Sequence, residues 1–182
     1  HPVWRLERGG LERQLLQTIE RLPREQFRHV LVVRGADEGD MSIDALRGAN
    51  VEVVRQAGPQ RDRLWFLRLA SILRQHSVNV LHVRGLTMLV DAMLAAKWCS
   101  GIPVAFSFHG FEAVAPRSKR DGRPGTAAPR FGRLRRLAYR AAVSRCDDRW
   151  AVSFTAAEAI AGELGMSPDA FGVLPNGVDA GR

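Results

Sequence analysis

The sequence predicts an α/β protein built on a Rossmann-like parallel sheet flanked by helices. Short apolar runs alternate with amphipathic helical segments along most of the 182 residues, a pattern typical of βαβ units. The clearest run, Val104–Phe108, stands between Pro103 and Gly110 and is nearly all apolar. Such a run indicates a strand buried on both faces, as the strands of parallel sheets are.

The segments before this strand alternate regularly. Residues 1–6 are typical of the end of a strand, and Gly9 and Gly10 separate them from a segment with leucine and isoleucine at helical spacing. Further strands are predicted over 27–33, 51–54 and 78–83, and helices over 64–76 and 86–98.

The segments after this strand are interrupted once. Prolines, glycines and basic residues predict a mobile surface loop over 113–130. The remaining predicted elements are a helix over 131–146, a strand over 150–152, a helix capped by Ser153 or Thr155 and ended by Gly165, and a strand over 171–174.

Composition limits the class of protein. A hydrophobic fraction of 46% is ordinary for a globular chain. No apolar run is long enough for a membrane-spanning helix, and no secretory signal opens the sequence. Cys99 and Cys146 have no partner at metal-ligand spacing, which favours a reduced cytosolic compartment and two buried thiols. The net charge of +8 indicates an anionic partner: nucleic acid, lipid headgroups or a phosphate-bearing ligand.

Several polar residues stand where predicted strands end. His109 follows the strand Val104–Phe108, and Arg84 follows the strand predicted over 78–83. Ligands of open parallel sheets bind outside the carboxyl ends of the strands, so an imidazole there can bind a substrate hydroxyl and a guanidinium can bind a phosphate. A structural histidine and a solvated loop charge are the alternatives.

Gly9 and Gly10 can bring backbone N–H groups close to an anion at a helix N-terminus. A tight turn alone would explain them equally well, and Glu12 in the first helical turn is also explained by compensation of the helix dipole. Since a third glycine is missing, we exclude a dinucleotide fingerprint. The chain also lacks the G-x-S-x-G, Walker A, H-E-x-x-H and paired-cysteine motifs of other enzyme classes.

Basic residues are concentrated between 117 and 149, where the helix predicted over 131–146 carries Arg133, Arg136 and Arg140 on a basic face. Charge runs are usually solvated faces. Several such residues together can also hold a protein on an anionic membrane. Nucleic acid is disfavoured because Tyr139 is the only aromatic residue interleaved with the arginines after Phe131.

Five segments in order resemble glycosyltransferase family 4, whose members have the GT-B fold. They are GGLERQLL (9–16), VLHVR (80–84), FSFHG (106–110), DRWAVS (148–153) and VLPNGVD (173–179). They are similar to the family's GGxE opening, its D-V-V-H strand, its H-G strand end, its D-x-x-x-x-V-S segment and its V-I-P-N-G-V-D turn. The order and spacing agree across nearly the whole chain.

The resemblance implies a retaining transferase that moves a sugar from a nucleotide diphosphate to a cell-surface polysaccharide or lipid-linked acceptor, generally without a metal or other cofactor. It places Gly9 and Gly10 near the donor phosphates and His109, as the catalytic residue, beside the transferred sugar. The remaining implied contacts are Glu12, Arg84 and Ser153 for the acceptor or substrate, and Arg133, Arg136 and Arg140 for the membrane. A cytoplasmic protein, peripheral on the inner face of the plasma membrane, is expected.

The resemblance also implies half of a larger enzyme. Residues 1–175 correspond to the N-terminal, acceptor-side Rossmann-like domain, and 176–182 begin the linker to a C-terminal donor domain that this sequence lacks. We therefore expect this chain to be inactive alone. Two other hypotheses remain open: a non-catalytic basic module that binds anionic membrane or nucleic acid, and a structural fragment without activity.

Overall fold

A computed structural model describes residues 1–4, 10–35, 51–56, 62, 64–98, 101–110 and 131–177. Within these ranges the seven strands are β1 (Pro2–Val3), β2 (His29–Val33), β3 (Val51–Arg55), β4 (Leu81–Arg84), β5 (Val104–Phe108), β6 (Asp148–Ala151) and β7 (Gly172–Val173). The helices are α1 (Gly10–Arg21), α2 (Trp65–Gln75), α3 (Leu89–Met93), α4 (Arg133–Ser144) and α5 (Phe154–Leu164), with a π-helix at Leu94–Trp98 and a 3-10 helix at Pro168–Ala170.

Every paired strand runs parallel to its neighbour. Hydrogen bonds join β1-β2-β3 and β4-β5-β6-β7, and β1 lies beside β4. The spatial order is therefore β3-β2-β1-β4-β5-β6-β7, the doubly wound order of nucleotide-binding α/β domains. The direction of chain progression reverses between β1 and β4, and such a switch point is where these folds bind ligands.

The strand β2 shows that the sheet is covered on both faces. Val30 and Val32 point into the larger of two cores, together with residues of α2 to α5. Leu31 and Val33 point the other way, against Leu15 and Ile19 of α1. Because side chains of a strand alternate between faces, this nearly all-apolar strand requires helices on both sides of the sheet.

The two faces of β4 and β5 differ in polarity. Leu81 and Val83 of β4 and Phe106 of β5 are fully buried in the larger core. The alternate positions of β4 are polar and half-buried, namely His82 and Arg84. These strands therefore bury one apolar face and keep a polar face beside α1.

The boundaries of several predicted elements were wrong, and the pairing explains why. β5 begins and ends as predicted, but β2 begins at His29, where its pairing with Val51 begins. β4 begins at Leu81, opposite Val104. A strand extends only where a neighbour accepts its hydrogen bonds, so the apolar residues before these positions remain outside the sheet.

Some of the predicted helices also agree with the structure, and others differ from it. The segment predicted as one helix over 86–98 is α3 followed by the π-helix, and the short 3-10 helix was not predicted. Both ends of α5 are confirmed: Ser153 Oγ accepts a hydrogen bond from Ala156 N, and Gly165 has a φ of 65°. Cys146 is buried as predicted.

Some predictions fall outside the described residues, including the loop over 113–130 and the placement of Cys99. No helix in the described ranges has the length and apolarity needed to cross a bilayer.

Truncating the centre of β5 should test the larger core. Phe106 is completely buried, so Phe106→Ala should lower the free energy of unfolding by about 3–5 kcal/mol through lost burial and a residual cavity. Leu134→Ala is the matched control: Leu134 is 84% exposed, and its truncation should change stability by no more than about 0.5 kcal/mol. Urea denaturation followed by circular dichroism measures both, and equal losses would contradict the packing described here.

Candidate active site

A cleft of about 220 Å³ opens at the carboxyl ends of the central strands. Its walls come from α1, from the ends of β4, β5 and β6, and from the segment after β7. The lining residues are Gln14, Gln17, Thr18, Arg21, His82, Arg84, Ser107, His109, Trp150, Leu174, Pro175, Asn176 and Gly177. The cleft thus lies at the switch point of the sheet.

Strand register builds one wall of this cleft. Arg84 of β4 pairs in register with Ser107 of β5, and Ser107 pairs with Trp150 of β6. Residues in register across parallel strands share a face, and residues two apart on one strand do as well. His82 and His109 therefore join the same polar row.

Two glycines turn the chain away at the end of this row. Gly85 follows Arg84 with a φ of 77°, and Gly110 follows His109 with a φ of 115°. Residues other than glycine rarely adopt such backbone angles. The chain therefore turns at both glycines, and both polar side chains stand at the rim of the sheet.

A buried hydroxyl connects the two histidines. Ser107 Oγ lies 2.9 Å from His82 Nε2 and 3.0 Å from His109 Nε2. Ser107 itself is fully buried. The three side chains form a continuous hydrogen-bonded chain that fixes the orientation of both rings.

Both imidazoles are uncharged at neutral pH. Burial, followed by the positive charge of Arg84, lowers the pKa of His109 to about 4. Burial and Arg84 in the same order lower the pKa of His82 to about 3. A neutral imidazole can donate one hydrogen bond and accept another, so His109 can bind a hydroxyl without carrying charge.

Arg84 supplies positive charge to the cleft. Burial lowers its pKa to about 10, so the guanidinium remains charged at neutral pH. Its Nη2 lies 3.4 Å from Thr18 Oγ1, whereas its Nε is buried without a hydrogen-bond partner among the described residues. Among the described residues that line the cleft there is no carboxylate, so the charge of Arg84 suits an anionic ligand.

The opposite wall is the polar stripe of α1. Gln14, Gln17, Thr18 and Arg21 line the cleft, and their spacing of three, four and seven residues places them on one helical face. These four residues were not predicted to belong to the site, although their spacing is visible in the sequence. The predicted site included the turn before them: Gly10 begins α1 and is exposed, while Gly9 and the side chain of Glu12 lie outside the described residues.

The other predicted site residues are not brought to the cleft. Ser153 is exposed, and its hydroxyl caps α5 with an N···O distance of 3.1 Å, so a substrate role for it stays a prediction. Arg133, Arg136 and Arg140 lie on α4, whose exposed side includes Leu134 and Leu137. In the part of the chain that the structure describes, no cluster of three or more His, Cys, Asp or Glu side chains could hold a metal ion.

The pKa of His109 generates a prediction about stability and pH. It is lowered on folding from 6.5 to about 4, so below pH 6.5 the unfolded chain takes up the proton while the folded chain does not. The free energy of unfolding should therefore fall as the pH falls from about 6.5 to 4. His109→Gln, which cannot titrate, should show a shallower decline across this window.

Urea denaturation at pH 7.0, 5.5 and 4.5 measures this slope for both proteins. A lower stability of His109→Gln at pH 7.0 would reflect the lost hydrogen bond, whereas the difference between the two slopes reports the titration. Parallel curves would contradict a buried, uncharged His109.

Two solved structures resemble this fold over 98% of the chain. A glycosyltransferase from Rickettsia africae ESF-5 is 16% identical, with a TM-score of 0.70. Anabaena Alr3699/HepE, solved in complex with UDP, is 18% identical, with a TM-score of 0.64. The chain spans 42% and 43% of these two proteins, respectively. No curated protein matches it. The structural likeness confirms the predicted Rossmann-like α/β class.

A family model matches almost the entire chain. The model describes Glycosyltransferase Family 4, and the match extends over residues 8–182. This range includes α1, both histidines of the cleft and the segment after β7. The resemblance carried by the five sequence motifs is thereby confirmed, and the chain belongs to Glycosyltransferase Family 4.

Proposed function

We propose that this chain forms the acceptor-side half of a retaining glycosyltransferase. The enzyme transfers a sugar, of the hexosyl type, from a nucleotide diphosphate to a cell-surface polysaccharide or a lipid-linked acceptor. The observation that carries the proposal is the cationic cleft at the switch point of the sheet, where His109 and Arg84 meet the polar stripe of α1. Membership of Glycosyltransferase Family 4 gives this cleft its chemistry.

The donor is a nucleotide sugar. Arg84 keeps its charge in a partly desolvated position, and its Nε has no partner in the part of the chain that the structure describes. This favours a phosphate or a carboxylate as a partner. Gly10 begins α1, and the family resemblance assigns the backbone amides of Gly9 and Gly10 to the diphosphate. The complex of Anabaena Alr3699/HepE with UDP supports this class of ligand. Arg84 and these backbone amides supply the positive charge that faces the diphosphate, so we propose no metal.

His109 lies beside the transferred sugar in this proposal. Its ring is held by Ser107, and within the described ranges its Nδ1 is buried without a partner. A buried polar atom without a partner costs free energy that a ligand hydroxyl recovers. His109 therefore orients the sugar through a hydrogen bond while remaining uncharged.

The chain represents one side of the complete active site. It spans 42% and 43% of the two solved proteins that it resembles. Residues 1–175 form the acceptor-side domain, and 176–182 lead into a donor-binding domain. The cleft needs that second domain to enclose the nucleotide, so residues 1–182 alone are inactive.

The acceptor side faces an anionic membrane through α4. Leu134 and Leu137, one turn apart, are 84% and 58% exposed, and Arg133 and Arg140 flank them as exposed residues. Apolar side chains bordered by arginines are typical of helices that lie in a lipid interface. Arg136 is half-buried and takes a smaller part. The protein is then cytoplasmic and peripheral on the inner face of the plasma membrane.

Replacing His109 tests the catalytic proposal. In the complete protein, His109→Ala should lower turnover of nucleotide sugar with a polyprenyl-linked acceptor by about 100-fold, because one hydrogen bond in the transition state is lost. His76→Ala is the matched control, since His76 ends α2 and pairs with Glu52 outside the cleft, and it should leave turnover unchanged.

Product is measured by radiolabelled sugar transfer, and folding by thermal denaturation. Normal turnover in a folded His109→Ala protein would remove this residue from the site. Product release by residues 1–182 alone would overturn the two-domain assignment.

Neutralising the exposed arginines of α4 tests the membrane proposal. Arg133→Gln with Arg140→Gln should weaken binding to vesicles that contain phosphatidylserine by about thirtyfold, at about 1 kcal/mol per basic residue. The control pair, Arg68→Gln with Arg74→Gln on α2, removes the same charge from another surface and should have little effect. Sedimentation with vesicles across a salt series measures both.

The same proteins separate the proposal from its alternative, a non-catalytic basic module. Duplex DNA is titrated in parallel with the vesicles. Tighter binding to DNA than to vesicles at every salt concentration, together with absent sugar transfer by the complete protein, would favour the nucleic-acid module. Neither binding nor transfer would indicate a fragment without activity.

A further inference from the structure

The hydroxyl of Ser107 has a single proton and two possible acceptors. Its oxygen lies between His82 Nε2 and His109 Nε2, at 2.9 and 3.0 Å, in a position without solvent exposure. The large majority of buried side-chain polar groups form hydrogen bonds, and the only hydrogen-bonding neighbours of this hydroxyl among the described residues are the two imidazole nitrogens. The proton of Ser107 therefore goes to one of the two rings, and the Nε2 atom of the other ring donates to the serine oxygen.

The two histidines consequently have opposite tautomers. Each neutral imidazole carries one proton, on either Nδ1 or Nε2. The ring that accepts from Ser107 carries its proton on Nδ1, and the ring that donates to Ser107 carries it on Nε2. Ser107 thus couples the proton position on His109 in the cleft to that on His82 in the sheet.

The surroundings of His109 Nδ1 determine in which direction the hydrogen bonds from His109 through Ser107 to His82 run. That atom is buried and has no partner in the described structure. A buried N–H group without a partner is rarer in proteins than an acceptor with an unused lone pair.

We infer that His82 and Ser107 are positioning residues that hold His109 as the Nε2–H tautomer. The His109 Nε2–H group donates to Ser107 Oγ, the Ser107 hydroxyl donates to His82 Nε2, and Nδ1 of His109 accepts a hydrogen bond from a hydroxyl group of the bound sugar. Only the identity of that ligand rests on the proposed function; the tautomer is a property of the free protein.

The tautomer can be measured directly. Two-dimensional ¹H–¹⁵N spectra of the complete protein, labelled with ¹⁵N-histidine and recorded at pH 7, distinguish Nε2–H from Nδ1–H rings. His109→Gln and His82→Gln spectra assign the signals. We expect His109 as Nε2–H and His82 as Nδ1–H, whereas the reverse pattern would overturn the inference.

Two substitutions of His82 make the coupling testable. His82→Phe keeps a ring against Trp150, whose centroid lies 5.2 Å away, but removes the acceptor for the Ser107 hydroxyl. That hydroxyl should then turn to His109 Nε2 and shift the proton of His109 to Nδ1. His82→Gln keeps an acceptor oxygen and should leave His109 as Nε2–H. An unchanged His109 signal in a folded His82→Phe protein would refute the coupling.

Turnover gives an independent readout. His82→Phe should lower kcat/KM for the sugar donor by about tenfold, the equivalent of one hydrogen bond, and His82→Gln should restore most of it. Equal turnover of the two variants would remove His82 from its positioning role. If the wild-type protein transfers no sugar, the proposed function fails while the spectra still decide the tautomer.

Discussion

The parallel register of β4, β5 and β6 is the constraint on which the cleft depends. It places Arg84, Ser107 and Trp150 side by side on one face, and the two-residue repeat of each strand adds His82 and His109. A shift of one residue would move all of these side chains to the opposite face and bring Phe106 into water. Burial of the apolar face therefore fixes the polar face, and stability and site geometry have the same origin.

Burial also determines the chemistry of the polar row. Desolvation is the largest contribution to the lowered pKa values of His82, His109 and Arg84. It leaves the two imidazoles neutral but the guanidinium charged, since the usual pKa of arginine is much higher. One environment thus produces two neutral hydrogen-bonding rings beside a permanent cation. In the proposed function, the guanidinium binds the phosphates of the sugar donor and a neutral ring binds one of its hydroxyl groups.

Local patterns in the sequence were sufficient for the strand at β5, for both caps of α5 and for the placement of His109 and Arg84 at the rim. They were insufficient for Ser107, because a small polar residue in an apolar run has no local signature of its partners. Its role depends on which strand lies beside β5 and in which register. Likewise, the sequence of α1 alone predicts that its polar stripe is a solvated face. Only the tertiary arrangement makes this stripe a wall of the cleft.

The two cores described above give the walls of the cleft different stiffness. β5 is anchored in the large core shared with α2 to α5, whereas α1 rests on a small cluster in which the fully buried members are Leu15, Ile19, Leu31 and Val33 within the described ranges. Local opening costs less where fewer apolar contacts are broken. We therefore expect the helix wall to be more compliant than the sheet wall, so that α1 adjusts to ligands of different size while the histidine pair keeps its place.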